Sequence, residues 1–338
     1  MGSDASKNLA ENIEKSIHSQ ATSEVTITVS AHSRYQNKLT RRLKDEYDHR
    51  CAEAIEDFQQ RTSTPKEIKA EPTTDDLNED GPSLGSYVQV TFHKTGLFST
   101  IFKALAPNSF SPTSHSAKQY VALKVTTPSA MIPPHDSKRE VRILEESRSE
   151  RIIPLLAKIW QPGDRLVLAF PFMPFDLDVM MRDQEIETRN VNGMIRDIFQ
   201  GLSHLHDLGI IHRDVKPSNL LLKSRQGPAY LADFGIAWSP QDSKSEPAQQ
   251  KITDVGTTSY RAPEVLFGFA AYGTELDLWA AGCTVAQILR PGHQALFTAG
   301  DLGSELALIK SIFSNLGTPN EIKWPVSQQT SAILNVRR

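Results

Sequence analysis

The sequence predicts an α+β fold, on three observations. Apolar, β-branched runs gather between residues 87 and 173. Beyond residue 190 the apolar residues recur at helical spacing instead. Within this second region lies the stretch Gly209-Ile210-Ile211-His212-Arg213-Asp214-Val215-Lys216-Pro217-Ser218-Asn219-Leu220-Leu221-Leu222. There an acid, a base and an amide crowd between two short apolar strands, an arrangement that serves chemistry better than packing.

The bulk composition excludes several classes. The chain has 338 residues, room for one or two domains. Its formal net charge of −3 gives no general field for nucleic acid, and no nucleic-acid partner is expected. Cys51 and Cys283 lie far apart and imply no disulfide framework, so a reducing compartment is expected. No apolar run approaches the ~18 residues of a membrane span. The polar N-terminus is no secretory signal. Met1-Gly2-Ser3-Asp4-Ala5-Ser6 fits the short myristoylation pattern, but one acyl chain holds a membrane only marginally, so no stable anchor is expected.

Residues 1–83 read as a largely disordered extension. The segment 62–86 is rich in Thr, Pro, Glu, Asp and Ser and predicts a linker. Before it, Tyr35, Leu39, Leu43, Tyr47, Cys51, Ile55 and Phe58 recur every three to four residues, which predicts an amphipathic helix over 36–60. That helix is either a docking element or a solvated one. Ile68-Lys69-Ala70-Glu71 fits a short sumoylation-type pattern, a faint nuclear pointer.

Tyr87-Val88-Gln89-Val90 and Ser99–Ala104 predict the first strands. Residues 105–119 are Pro- and Ser-rich and predict a long loop. Tyr120–Val125 alternates and predicts a strand with Lys124 facing inward, and a buried lysine needs an anionic partner. Lys138–Leu144 carries helical spacing after the turn Pro133-Pro134. Leu166–Met173 predicts another strand, and Val191–Leu208 a helix with Met194, Ile195, Ile198, Leu202 and Leu205 on its apolar side. A short hairpin then leads to Leu231-Ala232-Asp233-Phe234-Gly235, an acid following an apolar strand.

These stretches carry a resemblance. The spacing of Asp214 to Asn219 matches the His-Arg-Asp-x-x-x-x-Asn catalytic loop of protein kinases, and Asp233-Phe234-Gly235 matches their magnesium-binding segment. Gly256–Glu264, ending Arg261-Ala262-Pro263-Glu264, resembles the close of the activation loop. Asp277–Cys283 resembles the central helix, and Phe313–Asn320 a later segment, of the cyclin-dependent branch. The sequence therefore resembles a Ser/Thr protein kinase over about 87–325, with a small β-rich lobe at 84–173 and a larger helical lobe at 174–325.

The resemblance implies ATP and Mg²⁺ as cofactors. Catalytic roles fall on Asp214, Lys216, Lys124, Glu140 and Thr257, with Glu140 paired to Lys124 and Thr257 bonded to Asp214 and Lys216. Asn219 and Asp233 would hold the metal. Gly96, Ile101, Ala122, Lys124, Phe170, Pro171, Met173, Asp176 and Leu221 would line the nucleotide, with Phe170 as gatekeeper and Asp176 at the ribose end. Pro171 is compatible, because the hinge needs only a carbonyl there. The implied partner is a protein with a Ser/Thr acceptor, in the nucleus or cytoplasm.

The sequence also departs from the family. Lys94, Gly96 and Ser99 stand where the glycine-rich loop has three glycines, and Leu97-Phe98 replaces the Thr-Tyr pair that carries inhibitory phosphates. Lys138 replaces an isoleucine that is buried against cyclin, so cyclin binding in the usual mode is not expected. Both points lean toward the fungal single-subunit kinases that activate cyclin-dependent kinases; a cyclin-dependent kinase proper is the alternative. The resemblance ends at Trp324-Pro325, and 326–338 matches nothing in the family. The last helices of the large lobe are expected to be missing, including the arginine that pairs with Glu264. A kinase-fold interaction module without turnover is accordingly the second reading. Of three arginines that grip an activation-loop phosphate in the family, Arg139 and Arg213 are present and Trp238 takes the third place. Ile252 stands where the family has its phosphorylated threonine, with Thr253 and Asp254 beside it. Asp254 is expected to offer the two arginines a permanent anion.

Overall fold

The computed structural model describes residues 83–107, 119–300 and 303–318. The expected helix over 36–60, the Ile68–Glu71 pattern, Cys51, most of the 105–119 loop and the segment 326–338 lie outside the described residues.

The first half forms a five-stranded antiparallel sheet. Its strands are β1 Val88–Thr95, β2 Ser99–Leu105, β3 Tyr120–Thr126, β4 Ala157–Gln161 and β5 Arg165–Pro171, in the order β1-β2-β3-β5-β4. One face buries Val90, Val121, Leu123, Val167 and Ala169 together with Tyr87. β1 runs further than its apolar residues signal: positions 92–95 are exposed, yet Phe92 pairs with Phe102 and Lys94 with Ile101. An outer strand exposed on both faces leaves no alternation to read. β4 is short, lies just after Pro154 and just before Pro162, and is not anticipated in the sequence.

Helix α1, Ser137–Glu146, follows β3. Its N-cap is Asp136, whose carboxylate accepts from the amides of Lys138 and Arg139. A three-stranded antiparallel sheet then sits above the helices: β6 Phe175–Asp176, β7 Leu220–Leu222 and β8 Ala229–Leu231. The helices are α2 Leu177–Arg182, α3 Thr188–Asp207, α4 Pro263–Leu266, α5 Glu275–Leu289 and α6 Glu305–Leu316. The helix expected over 191–208 is α3, starting one turn earlier.

The main core joins α1 to the helical half. Ile143 and Leu144 share a cluster with Met180, Ile198, Leu202, Leu205, Ile210, Leu220, Phe234 and Ala281. α5 buries Leu276, Asp277, Ala280, Ala281, Cys283, Thr284, Gln287 and Ile288, too much of its surface for a single stripe. Burial also pushes the Cys283 thiol up to about 12, so it stays protonated. Among the described residues no helix is long and apolar enough to cross a membrane. This is an α+β architecture of a β-rich lobe and a helical lobe.

Candidate active site

The loop from His212 to Asn219 is set by backbone bonds before any side chain acts. Ile211 exchanges both main-chain bonds with Trp238, at 2.9 and 2.8 Å. Asp277 of α5 is 1% exposed. One of its oxygens accepts the His212 amide at 2.8 Å and the other the Arg213 amide at 2.9 Å. The His206 ring adds a bond to Asp277 at 3.0 Å. Arg213 is held at φ 70°, a conformation a residue with a side chain adopts only when its surroundings insist. Gly256, at φ +79°, passes so close that a Cβ there would lie 3.1 Å from the Arg213 carbonyl.

His212 is fully buried, and that burial lowers its pKa, so the ring is neutral. One nitrogen accepts the Asp214 amide at 3.3 Å and the other donates to the Ala232 carbonyl at 3.1 Å. His212, two residues before Asp214, is anchored in this way to the residue before Asp233.

Around Asp214 the side chains converge. Thr257 donates its hydroxyl to Asp214 Oδ1 at 2.8 Å and its amide at 3.1 Å. Lys216 Nζ lies 2.7 Å from Asp214 Oδ2 and donates to Thr257 Oγ1 at 2.7 Å. Asn219 Nδ2 donates to the Asp214 carbonyl at 2.8 Å and to Oδ2 at 3.1 Å. The carboxylate is thus oriented from three sides and still 14% exposed.

A second cluster joins β3, α1 and the Asp233 segment. Lys124 Nζ donates to both oxygens of Glu140, at 2.6 and 2.9 Å, and to Asp233 Oδ1 at 2.8 Å. Burial pulls the Lys124 pKa down, but the Asp233 and Glu140 carboxylates outweigh it and hold the ammonium well above the usual lysine range. Burial pushes Glu140 up, with Lys124 opposing. The Lys124 ammonium holds Asp233 far below the ordinary carboxylate range. Asp233 itself sits at φ 67°, and its side chain is half-exposed.

Of the residues expected around a nucleotide, Ile101, Ala122, Lys124, Phe170, Pro171, Asp176 and Leu221 lie on strands, and Gly96 and Met173 lie between them. Ile101 of β2 pairs with Lys124, and Ala122 of β3 with Phe170 of β5. Pro171 closes β5 opposite Val121. Phe170, Met173 and Leu221 pack against the main core. Asp176 pairs with Leu221 and caps α2 by accepting the Val179 amide at 2.9 Å, an architectural bond the sequence reading did not foresee. Gly96 sits in the β1–β2 turn and donates its amide to Ser99 O at 2.7 Å.

These groups fit a magnesium ion shared with phosphate. Asp233 has its second oxygen, and Asn219 its amide oxygen, without a hydrogen-bond donor among the described residues. Both are the hard oxygen ligands Mg²⁺ prefers. Among the described residues no three His, Cys, Asp or Glu side chains form a metal cage.

The comparisons agree with this geometry. Residues 107–334 match the protein kinase domain. The chain belongs to the protein kinase family. It is 40% identical over 217 residues to the serine/threonine-protein kinase csk1 of Schizosaccharomyces pombe, covering 62% of this chain and 68% of that one. It is 35% identical over 246 residues to cyclin-dependent kinase 7 of Xenopus laevis, covering 71% and 64%. The chain thus spans about two thirds of the length of these relatives. A solved CAK complex from Chaetomium thermophilum, bound to ATP-γ-S, is similar with TM-score 0.60 and 26% identity, covering 72% of this chain and 73% of that one.

The kinase activation segment, between Asp233 and Glu264, corrects one expectation. Asp254 does not serve Arg139 and Arg213: it is 81% exposed and pairs with Arg261 at 2.6 Å. Glu246 takes that place, bonded to both ends of the Arg213 guanidinium at 3.0 and 3.2 Å and 3.9 Å from Arg139. An acid amid Ser, Pro and Gln gives no periodicity by which to find it. Lys138 stands where the family buries an isoleucine against cyclin. It is exposed and lies over the Trp160 ring at 5.3 Å, so its ammonium keeps its water.

Proposed function

We propose that this kinase transfers the γ-phosphoryl group of ATP to serine or threonine of a protein, with no cyclin required. The observation that carries the reading is the orientation of the Asp214 carboxylate by Thr257, Lys216 and Asn219. Phosphoryl transfer needs positioning and charge neutralisation more than covalent help. The substrate hydroxyl oxygen bonds to phosphorus as the bond to the bridging oxygen breaks, and ADP carries away the electron pair. Asp214 accepts the hydroxyl proton and aims the oxygen. Lys216 steadies the moving phosphoryl group, and Lys124, fixed by Glu140, faces the nucleotide phosphates. Bound Mg²⁺, held by Asp233 and Asn219, would supply further positive charge to the phosphates.

The substrate class we favour is the activation loop of another cyclin-dependent kinase. The likeness to csk1, cyclin-dependent kinase 7 and the CAK complex supports it. The exposed Lys138 supports independence from cyclin, since seating it in an apolar interface would cost several kcal/mol. The test is phosphorylation of a cyclin-dependent kinase substrate by the purified chain with ATP and Mg²⁺ alone. Asp214→Asn should lower kcat by about 10²- to 10⁴-fold while nucleotide binding holds. Equal turnover in the variant, or a large rise on adding a cyclin, would count against the reading.

A further inference from the structure

Helix α1 and the catalytic loop each present a buried guanidinium at the same spot. Arg139 is 4% exposed and Arg213 1%. Each also follows its neighbour's function: Arg139 precedes Glu140, which holds Lys124, and Arg213 precedes Asp214. Arg139 donates to the Pro134 carbonyl, while Nε of Arg139 and Nε of Arg213 have no partner among the described residues. Two buried cations this close repel, and neither is satisfied by its own element. An anion between them is what lets both stay in place.

We infer that Glu246 is a positioning residue that supplies this anion, tying α1 to the catalytic loop so that the site stands assembled without a phosphate on the activation segment. The inference rests on the phosphoryl-transfer reading above for its consequence in turnover. Its geometry stands separately. The Glu246 carboxylate makes a two-pronged bond to Arg213 and reaches Arg139. Trp238 donates its indole N–H to the Glu246 carbonyl at 2.9 Å, so a side chain that cannot itself bind an anion holds the residue that is one. Lys251 lies over the Trp238 ring at 4.8 Å and donates to the Ala248 and Tyr272 carbonyls, fixing the same turn. A second tie runs in parallel, from Arg142 of α1 to Asp242 at 2.7 Å. The activation segment thus grips α1 at these two points a turn apart, and of the two Glu246 also grips the catalytic loop.

The test uses the full chain and two readouts. Glu246→Gln keeps the side chain's size and removes its charge; kcat should fall about tenfold to a hundredfold, with a smaller change in KM for ATP. Glu246→Asp should recover part of the loss, and Trp238→Phe should show a smaller fall in the same direction. Hydrogen exchange without nucleotide should quicken in Glu246→Gln at residues 212–214 and 239–256, with β2 and β3 unchanged. Phosphatase treatment of the parent and Thr253→Ala should both leave the rate within a few-fold. A Gln variant that exchanges and turns over like the parent would overturn the inference, as would a hundredfold loss after phosphatase treatment or in Thr253→Ala. A parent that transfers no phosphate would defeat the proposed function instead, and the exchange difference would still decide what Glu246 does.

Discussion

Thr257 carries two bonds with one hydroxyl. It donates to Asp214 and accepts from Lys216, which puts a neutral hinge between two opposite charges. Thr257→Val keeps the shape and deletes both bonds. Bonds to charged groups contribute about 1.5–3 kcal/mol, so kcat should drop roughly tenfold to a hundredfold, while Thr257→Ser stays near the parent. Steady-state kinetics decides it, and equal losses in Val and Ser would point to packing by the methyl group instead. The Asp214–Asn219 pair was visible in the sequence because both lie in one short loop, and Lys124 and Asp233 because each sits in or just after an apolar strand. Glu246 was not, because its partners are brought to it from α1 and the catalytic loop by the fold. An acidic residue in a polar stretch looks the same whether solvated or clamped.

At the scale of elements, α5 is the post on which the catalytic loop hangs. The strands Ser99–Leu105 and Tyr120–Thr126 and helix α3 were readable from periodicity. The role of α5 was not, since a helix buried nearly all round has no stripe and its buried acid looks like an ordinary first-turn residue beside Glu275. That acid, Asp277, accepts two consecutive backbone amides with its two oxygens. Asp277→Asn must turn an NH₂ group toward one of those N–H groups in a site 1% exposed. Leaving a buried donor unmet costs about 1–3 kcal/mol, so Tm should fall by several degrees, and the His212 and Arg213 amides should exchange faster. An unchanged Tm would show that the loop is held by other contacts.

At the scale of the whole molecule, the Lys124 side chain joins the five-stranded sheet, α1 and the Asp233 segment. Its pH behaviour separates its role from simple packing. The Lys124 pKa is raised, so its contribution is complete below the usual lysine value of about 10.4 and adds no slope between pH 5 and 8. Asp233 is depressed, so its contribution is present above about 3.9 and fades only in stronger acid. Glu140 is raised by burial, and the ammonium beside it opposes that rise. Lys124→Met keeps much of the volume and leaves Glu140 and Asp233 facing each other with no cation between them. Breaking a buried pair in this way costs about 3–5 kcal/mol near neutral pH. With its partner gone, Glu140 moves further up, toward neutrality, and binds in the folded state a proton that the unfolded chain lacks. By linkage the variant then gains more stability than the parent as pH falls. Unfolding measured from pH 8 to pH 5 should show the deficit largest at pH 8 and shrinking steadily toward pH 5. A deficit that is constant, or that widens in acid, would mean Lys124 is held by its methylene packing and not by the two carboxylates.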